Sequence, residues 1–267
     1  MNVLVAGDAR VDAGKTTFST GLVERLGATG FKPRAGNDYW YDHTDYRNAV
    51  EKGRLYGNDA KRLAAASPGT HAPEEVNPVH RLWRPAPGAG SGLLGQHDRE
   101  FLIDRVGERF VLNGTIDLPD SAREHLPLQA AIVVETLDEC NAVMENLHLP
   151  TIRSLIDAIE TADRAVVESY SDVAVPVRGV EFDAVAVVEP RRARIYDGDR
   201  FLTAREVAGS SAREGRIETV VGDVTELLEP ITMVELPALT AAERSDPGTV
   251  AEDYADAYRA VIEAAGR

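Results

Sequence analysis

Short unbroken apolar runs alternate along the chain with segments whose apolar residues recur at helical spacing, the pattern of buried strands joined by helices. The first run, Asn2-Val3-Leu4-Val5-Ala6, predicts a buried strand, and Phe18 to Gly27 predicts a helix with Leu22 and Leu26 on one face. Phe31 to Gly36 reads as a brief strand end and loop, and Asn37 to Tyr46 as a polar loop carrying Tyr39, Trp40, Tyr41 and Tyr46. Gly57 to Ala66 predicts a helix capped by Asn58. Pro68 to Pro87 is too rich in proline for a helix or a central strand, and Gly88 to Gly95 continues it as a flexible link.

Beyond the link, Glu108 to Leu112 and Ala131 to Glu135 read as strands around turns such as Asn113-Gly114. Ile152, Leu155, Ile156 and Ile159 mark a helix up to Thr161, followed by strands at Arg164 to Glu168 and Asp183 to Val188. Asp197-Gly198 predicts a hairpin turn, Val220-Val221 and Ile231 to Val234 short strands, and Thr249 to Ala265 a closing helix. The alternation predicts an α/β fold: a mostly parallel central sheet with helices on both faces, forming one domain over 1–267 with an insertion or lid at 98–150.

With 267 residues and 43% hydrophobic content, the chain can build a full core. Its net charge of −15 would repel phosphate backbones, so no nucleic-acid partner is expected. Of 29 basic residues only Lys15, Lys32, Lys52 and Lys61 are lysines. This avoidance of lysine, with the excess of acid, fits a halophilic, high-salt cytoplasm; an ordinary acidic protein from a GC-rich genome is the alternative. One cysteine, Cys140, excludes an internal disulfide and fits a reducing interior. No apolar run reaches the length of a membrane span and no leader precedes the first strand, so a cytoplasmic protein without a membrane partner is expected.

Between the first strand and the first helix stands Gly7-Asp8-Ala9-Arg10-Val11-Asp12-Ala13-Gly14-Lys15-Thr16-Thr17. A phosphate-binding loop needs inward backbone N–H groups, a lysine for the β/γ-phosphates, a hydroxyl for Mg²⁺ and a helix N-terminus facing the anion. Gly14-Lys15-Thr16 meets the last three at the right spacing, with Arg10, Val11, Asp12, Ala13 and Thr17 completing the nucleotide-binding stretch. The loop is a variant, because Ala9 stands where the usual pattern has glycine. Work on a γ-phosphate also needs carboxylates for the metal. Asp59 opens a helix, Glu168 ends a buried strand, and Glu135 ends a similar run as its rival.

Five pieces in order resemble the dethiobiotin synthetase-like branch of the P-loop ATPases, which also holds the cobyrinic acid amide synthases and belongs with the MinD/ParA superfamily. They are Asp12-Ala13-Gly14-Lys15-Thr16; Lys32-Pro33; Asn58-Asp59-Ala60 with Leu63; Asn77-Pro78 with Pro85 and Pro87; and Ala162 to Glu168 with Pro176 eight residues later. The resemblance implies ATP and Mg²⁺ as cofactors. It places Lys15 on the β/γ-phosphates, Thr16, Asp59 and Glu168 around the ion, and Lys32 beside the γ-phosphate. It also favours Glu168 over Glu135. The chain differs where Ser169-Tyr170-Ser171-Asp172 replaces a glycine-rich run, and where Glu189-Pro190-Arg191-Arg192 replaces the base-reading segment, so the acceptor and ATP against GTP stay open.

The expected function is that of a Mg²⁺-dependent ATPase activating a small carboxylate or carbamate by phosphoryl transfer. Arg34, Asn37, Tyr39, His80, Arg81 and Arg84 are candidates for the pocket of this small anionic substrate. The alternative is an ATP-dependent dimerising switch of the ParA/MinD type, in which Arg10 occupies the place of the signature lysine and two copies form a homodimer. A metal-delivering GTPase finds no histidine or cysteine cluster for its cargo.

Overall fold

Val3, Leu4, Val5 and Ala6 are wholly buried, as are Val166, Val167 and Ala184 to Val187, and these runs form the middle of a sheet. The computed structural model describes residues 1–8, 14–86, 93, 99–209 and 218–267. In chain order its strands are β1 (Asn2–Gly7), β2 (Thr29–Phe31), β3 (Arg34–Asp38), β4 (Val79–Pro85), β5 (Arg99–Val106), β6 (Arg109–Asn113), β7 (Ile132–Val134), β8 (Ala165–Glu168), β9 (Ala184–Glu189), β10 (Arg192–Asp197) and β11 (Thr232–Glu235). The helices are α1 (Lys15–Leu26), α2 (His43–Val50), α3 (Asn58–Ala66), α4 (Pro73–Val76), α5 (Asp120–His125), α6 (Leu137–Val143), α7 (Leu149–Thr161), α8 (Gly198–Ala208), α9 (Val221–Thr225), α10 (Ala241–Ser245), α11 (Pro247–Asp253) and α12 (Ala255–Ala265). Among the described residues no helix is long and apolar enough to cross a membrane.

The chain folds as two compact units, the first comprising 1–33, 62–71 and 156–267, the second 34–61 and 72–155. The first holds a sheet ordered β11-β10-β9-β1-β8-β2. Here β1 is parallel to β8 and β9, β2 is parallel to β8, and β10 and β11 add on antiparallel. The continuous apolar runs are what strands buried on both faces require. Helix α1 ends on Gly27 in the left-handed region (φ 57°), and packs through Phe18 on Tyr258, whose hydroxyl donates to the Phe18 carbonyl at 2.9 Å. Gly21 sits under the same contact, where a Cβ would come within 2.4 Å of the Tyr258 hydroxyl and 2.6 Å of Val250.

The second unit carries a mixed sheet ordered β3-β4-β5-β6-β7. Tyr46, Val50, Leu55, Leu82, Leu102, Ile103 and Phe110 form its core. Strand β5 buries two adjacent charged residues that point to opposite faces. Asp104 accepts both Arg81 Nε and Nη2 at 2.5 Å and contacts His148 Nε2 at 2.9 Å. Arg105 instead donates to the carbonyls of Leu55, Asn77, Pro78 and Gly107, and burial brings its pKa down to about 10.

The α/β class is as expected, but two mixed sheets stand where a single mostly parallel one is predicted. Hairpins account for much of the difference: β5 and β6 join through Gly107 (φ 58°), and β9 and β10 through Arg191 (φ 73°). Residues 79–85, excluded above as a central strand, form β4 with a partner on each side. Its prolines, Pro78 before it and Pro85 at its end, leave the N–H groups between them free to bond. Asp197-Gly198 is no hairpin turn, because Asp197 accepts the Arg200 N–H at 2.9 Å and caps α8. The loop expected over 37–46 is partly β3 and α2, and the closing helix breaks at Tyr254 into α11 and α12.

Candidate functional site

Because β2, β8, β1 and β9 are parallel, their carboxyl ends share one edge of the first sheet. In α/β sheets this edge is where ligands bind. Register places Val5 beside Glu168 and Phe31 beside Val167, so Lys32, one residue past β2, arrives next to the last residue of β8. Helix α1 opens at the same edge, after β1, with Gly14 in the left-handed region (φ 84°) that favours glycine.

Three sequence-predicted residues meet there. Glu168 Oε1 accepts Thr16 Oγ1 at 2.9 Å and Lys32 Nζ at 2.5 Å. Glu168 is 0% and Lys32 3% exposed, so an ion pair has been taken out of water. Desolvation costs several kcal/mol per ion, and a buried pair commonly fails to improve on apolar side chains of the same volume. The second carboxylate oxygen, Glu168 Oε2, is buried with no hydrogen-bond partner among the described residues. A buried carboxylate with one oxygen outside any hydrogen bond adds little to stability.

Lys15 Nζ donates to the Ser171 carbonyl at 2.7 Å, and Ser171 itself has φ 50°. Residues 169–174 are held both within themselves and by residues 218–219. Ser169 Oγ donates to the Val173 carbonyl at 2.5 Å, Tyr170 bonds Glu218, and the Ala174 N–H reaches the Thr219 carbonyl at 2.9 Å.

Of the remaining predicted residues, Thr17 is buried in the first turn of α1 and Gly14 is exposed before it. Arg10, Val11, Asp12 and Ala13 lie outside the described residues. Asp59 belongs to the second unit, in the first turn of α3. Glu135, the rival carboxylate, is an exposed residue just past β7 in that unit. Among the acceptor candidates, Arg81 is committed to Asp104, Arg84 donates to Glu100 at 2.7 Å, and His80 is wholly buried. Among the described residues no group of three or more His, Cys, Asp or Glu could hold a metal ion.

One network escaped the sequence. Asp8, directly after β1, pairs with Arg194 at 2.9 Å; Arg194 pairs with Glu189 at 2.5 Å, and Arg192 also reaches Glu189 at 2.5 Å. The two arginines are two apart on β10 and share a face, a period-2 signal that could have exposed it.

No family model and no curated protein matches the chain.

Proposed function

We propose that the first unit is a P-loop ATPase of three-layer α/β type, resembling dethiobiotin synthetase. It would bind ATP with Mg²⁺ at the carboxyl edge of its sheet and activate a small carboxylate or carbamate by phosphoryl transfer. The observation that supports this best is the meeting of Thr16 and Lys32 on buried Glu168, directly behind a left-handed glycine and the start of α1.

The residues fit the cofactor. Thr16 offers a hydroxyl and Glu168 an unused buried oxygen to a cation, and Mg²⁺ is commonly held by only one or two carboxylates together with phosphate oxygens and water. When bound, the nucleotide supplies the phosphoryl group and the ion the charge that polarises it. Lys15 has to leave the Ser171 carbonyl to steady the phosphates, and the α1 N-terminus adds its positive end. Lys32 balances the charge that builds as the phosphoryl group departs.

Phosphate release from ATP, assayed with a panel of small carboxylates, tests the proposal. Turnover should require Mg²⁺ and rise when the right acceptor is present. Lys15→Ala should abolish it, and Thr16→Ala should raise the Mg²⁺ concentration needed by about tenfold or more. A rate indifferent to Lys15→Ala would refute the assignment.

A further inference from the structure

Asp8 is the first residue after β1 and leads into the phosphate loop proposed above. An acid at that place needs a reason, because a carboxylate repels a triphosphate. Gly7 lies beside Val188 in the sheet register, and a Cβ on Gly14 would come 3.9 Å from the Val188 side chain. Both ends of the loop thus border Val188, and Asp8 stands at the edge proposed for the phosphates. On the other side of its carboxylate is the first turn of α9, where a Cβ on Gly222 would lie 3.6 Å from Oδ1.

Two arginines on β10 answer two acids. Arg194 Nη2 stands 2.9 Å from Asp8 Oδ2 and 2.5 Å from Glu189 Oε1, while Arg192 Nη2 stands 2.5 Å from Glu189 Oε2. Glu189 therefore keeps a cation if Arg194 is lost, whereas Asp8 has Arg194 alone among the described residues. The Arg194 side chain is 15% exposed and that of Glu189 11%, so this guanidinium is screened by water far less than one in an open surface pair.

We propose that Arg194 is a positioning residue for the nucleotide: by holding the Asp8 carboxylate on β10 and cancelling its charge, it keeps the mouth of the phosphate loop receptive to a polyanion. This role presupposes the phosphate-loop reading of Lys15 and Thr16.

Equilibrium binding of ATP and of ADP, with folding checked by melting curves, tests it. Arg194→Met should weaken ATP binding by about tenfold and ADP binding by less, because repulsion by Asp8 grows with phosphate charge, and added salt should shrink both losses. Arg194→Lys, which keeps the charge, should lose less. Asp8→Asn in the Arg194→Met background should restore most of the affinity, which a mere loss of packing would not allow. Asp8→Asn by itself leaves Arg194 in place, so it should bind ATP at least as tightly as the parent, and it carries the test should Arg194→Met fail to fold. A loss of about tenfold in Asp8→Asn, no rescue in the double variant, or parent-like ATP binding by Arg194→Met would each overturn the role. Lys15→Ala separates the two readings. ATP binding retained in Lys15→Ala refutes the phosphate loop and this role with it; binding lost there and unchanged in Arg194→Met refutes the role of Arg194 alone.

Discussion

Glu168→Ala should destabilise the fold by about 3–5 kcal/mol, because it removes the carboxylate to which the buried Lys32 ammonium donates at 2.5 Å. Replacing both partners, as in Lys32→Met with Glu168→Leu, should recover most of that loss, since apolar side chains of similar volume carry no desolvation cost. Activity should not follow stability. If the pair serves phosphoryl transfer, the double variant stays folded yet turns over at least about tenfold more slowly, and Glu168→Gln behaves likewise. Urea denaturation paired with phosphate release separates the two quantities. A stable double variant with normal turnover would make the pair a packing feature.

Asp104→Ala should have an effect of similar size, about 3–5 kcal/mol, by withdrawing the fully buried carboxylate shared by Arg81 and His148. Burial alone would raise the Asp104 pKa, but the charge and hydrogen bonds of Arg81, aided by His148, outweigh it and hold the group below its ordinary value of 3.8. The unfolded chain therefore takes up this proton first as the solution is acidified. The contribution is complete above the ordinary value and is lost as pH falls through the depressed one. Asp104→Asn should accordingly lower stability at neutral pH and flatten the loss seen on the acid side. Denaturation curves collected from neutrality down to about pH 3 check both parts, and an unchanged acid limb would assign that loss to other carboxylates.

The first sheet was legible because Val3 to Ala6, Ala165 to Val167 and Ala184 to Val188 are unbroken apolar runs, the form strands take when both faces are covered. The approach of Lys32 to Glu168 was legible only through the order of the resembling pieces, since 136 positions separate them and periodicity says nothing about such a contact. The second unit was harder. Strand β3 is Arg-Ala-Gly-Asn-Asp, which has little strand propensity and owes its form to pairing with β4. Strand β5 hid because Asp104 and Arg105 break its apolar run, although both are buried and satisfied by partners distant in sequence. The polar network of Asp8, Arg194 and Glu189 was invisible for the same reason.

Lys15, Thr16 and Glu168 are proposed to hold a triphosphate and its ion at the carboxyl edge of the first sheet. Equilibrium titration with ATP, in Mg²⁺ and again in chelator, tests it most directly. Saturable binding that weakens without the ion, and vanishes in Lys15→Ala, is the predicted result; binding of equal strength in Lys15→Ala, or none by the parent protein, would contradict it.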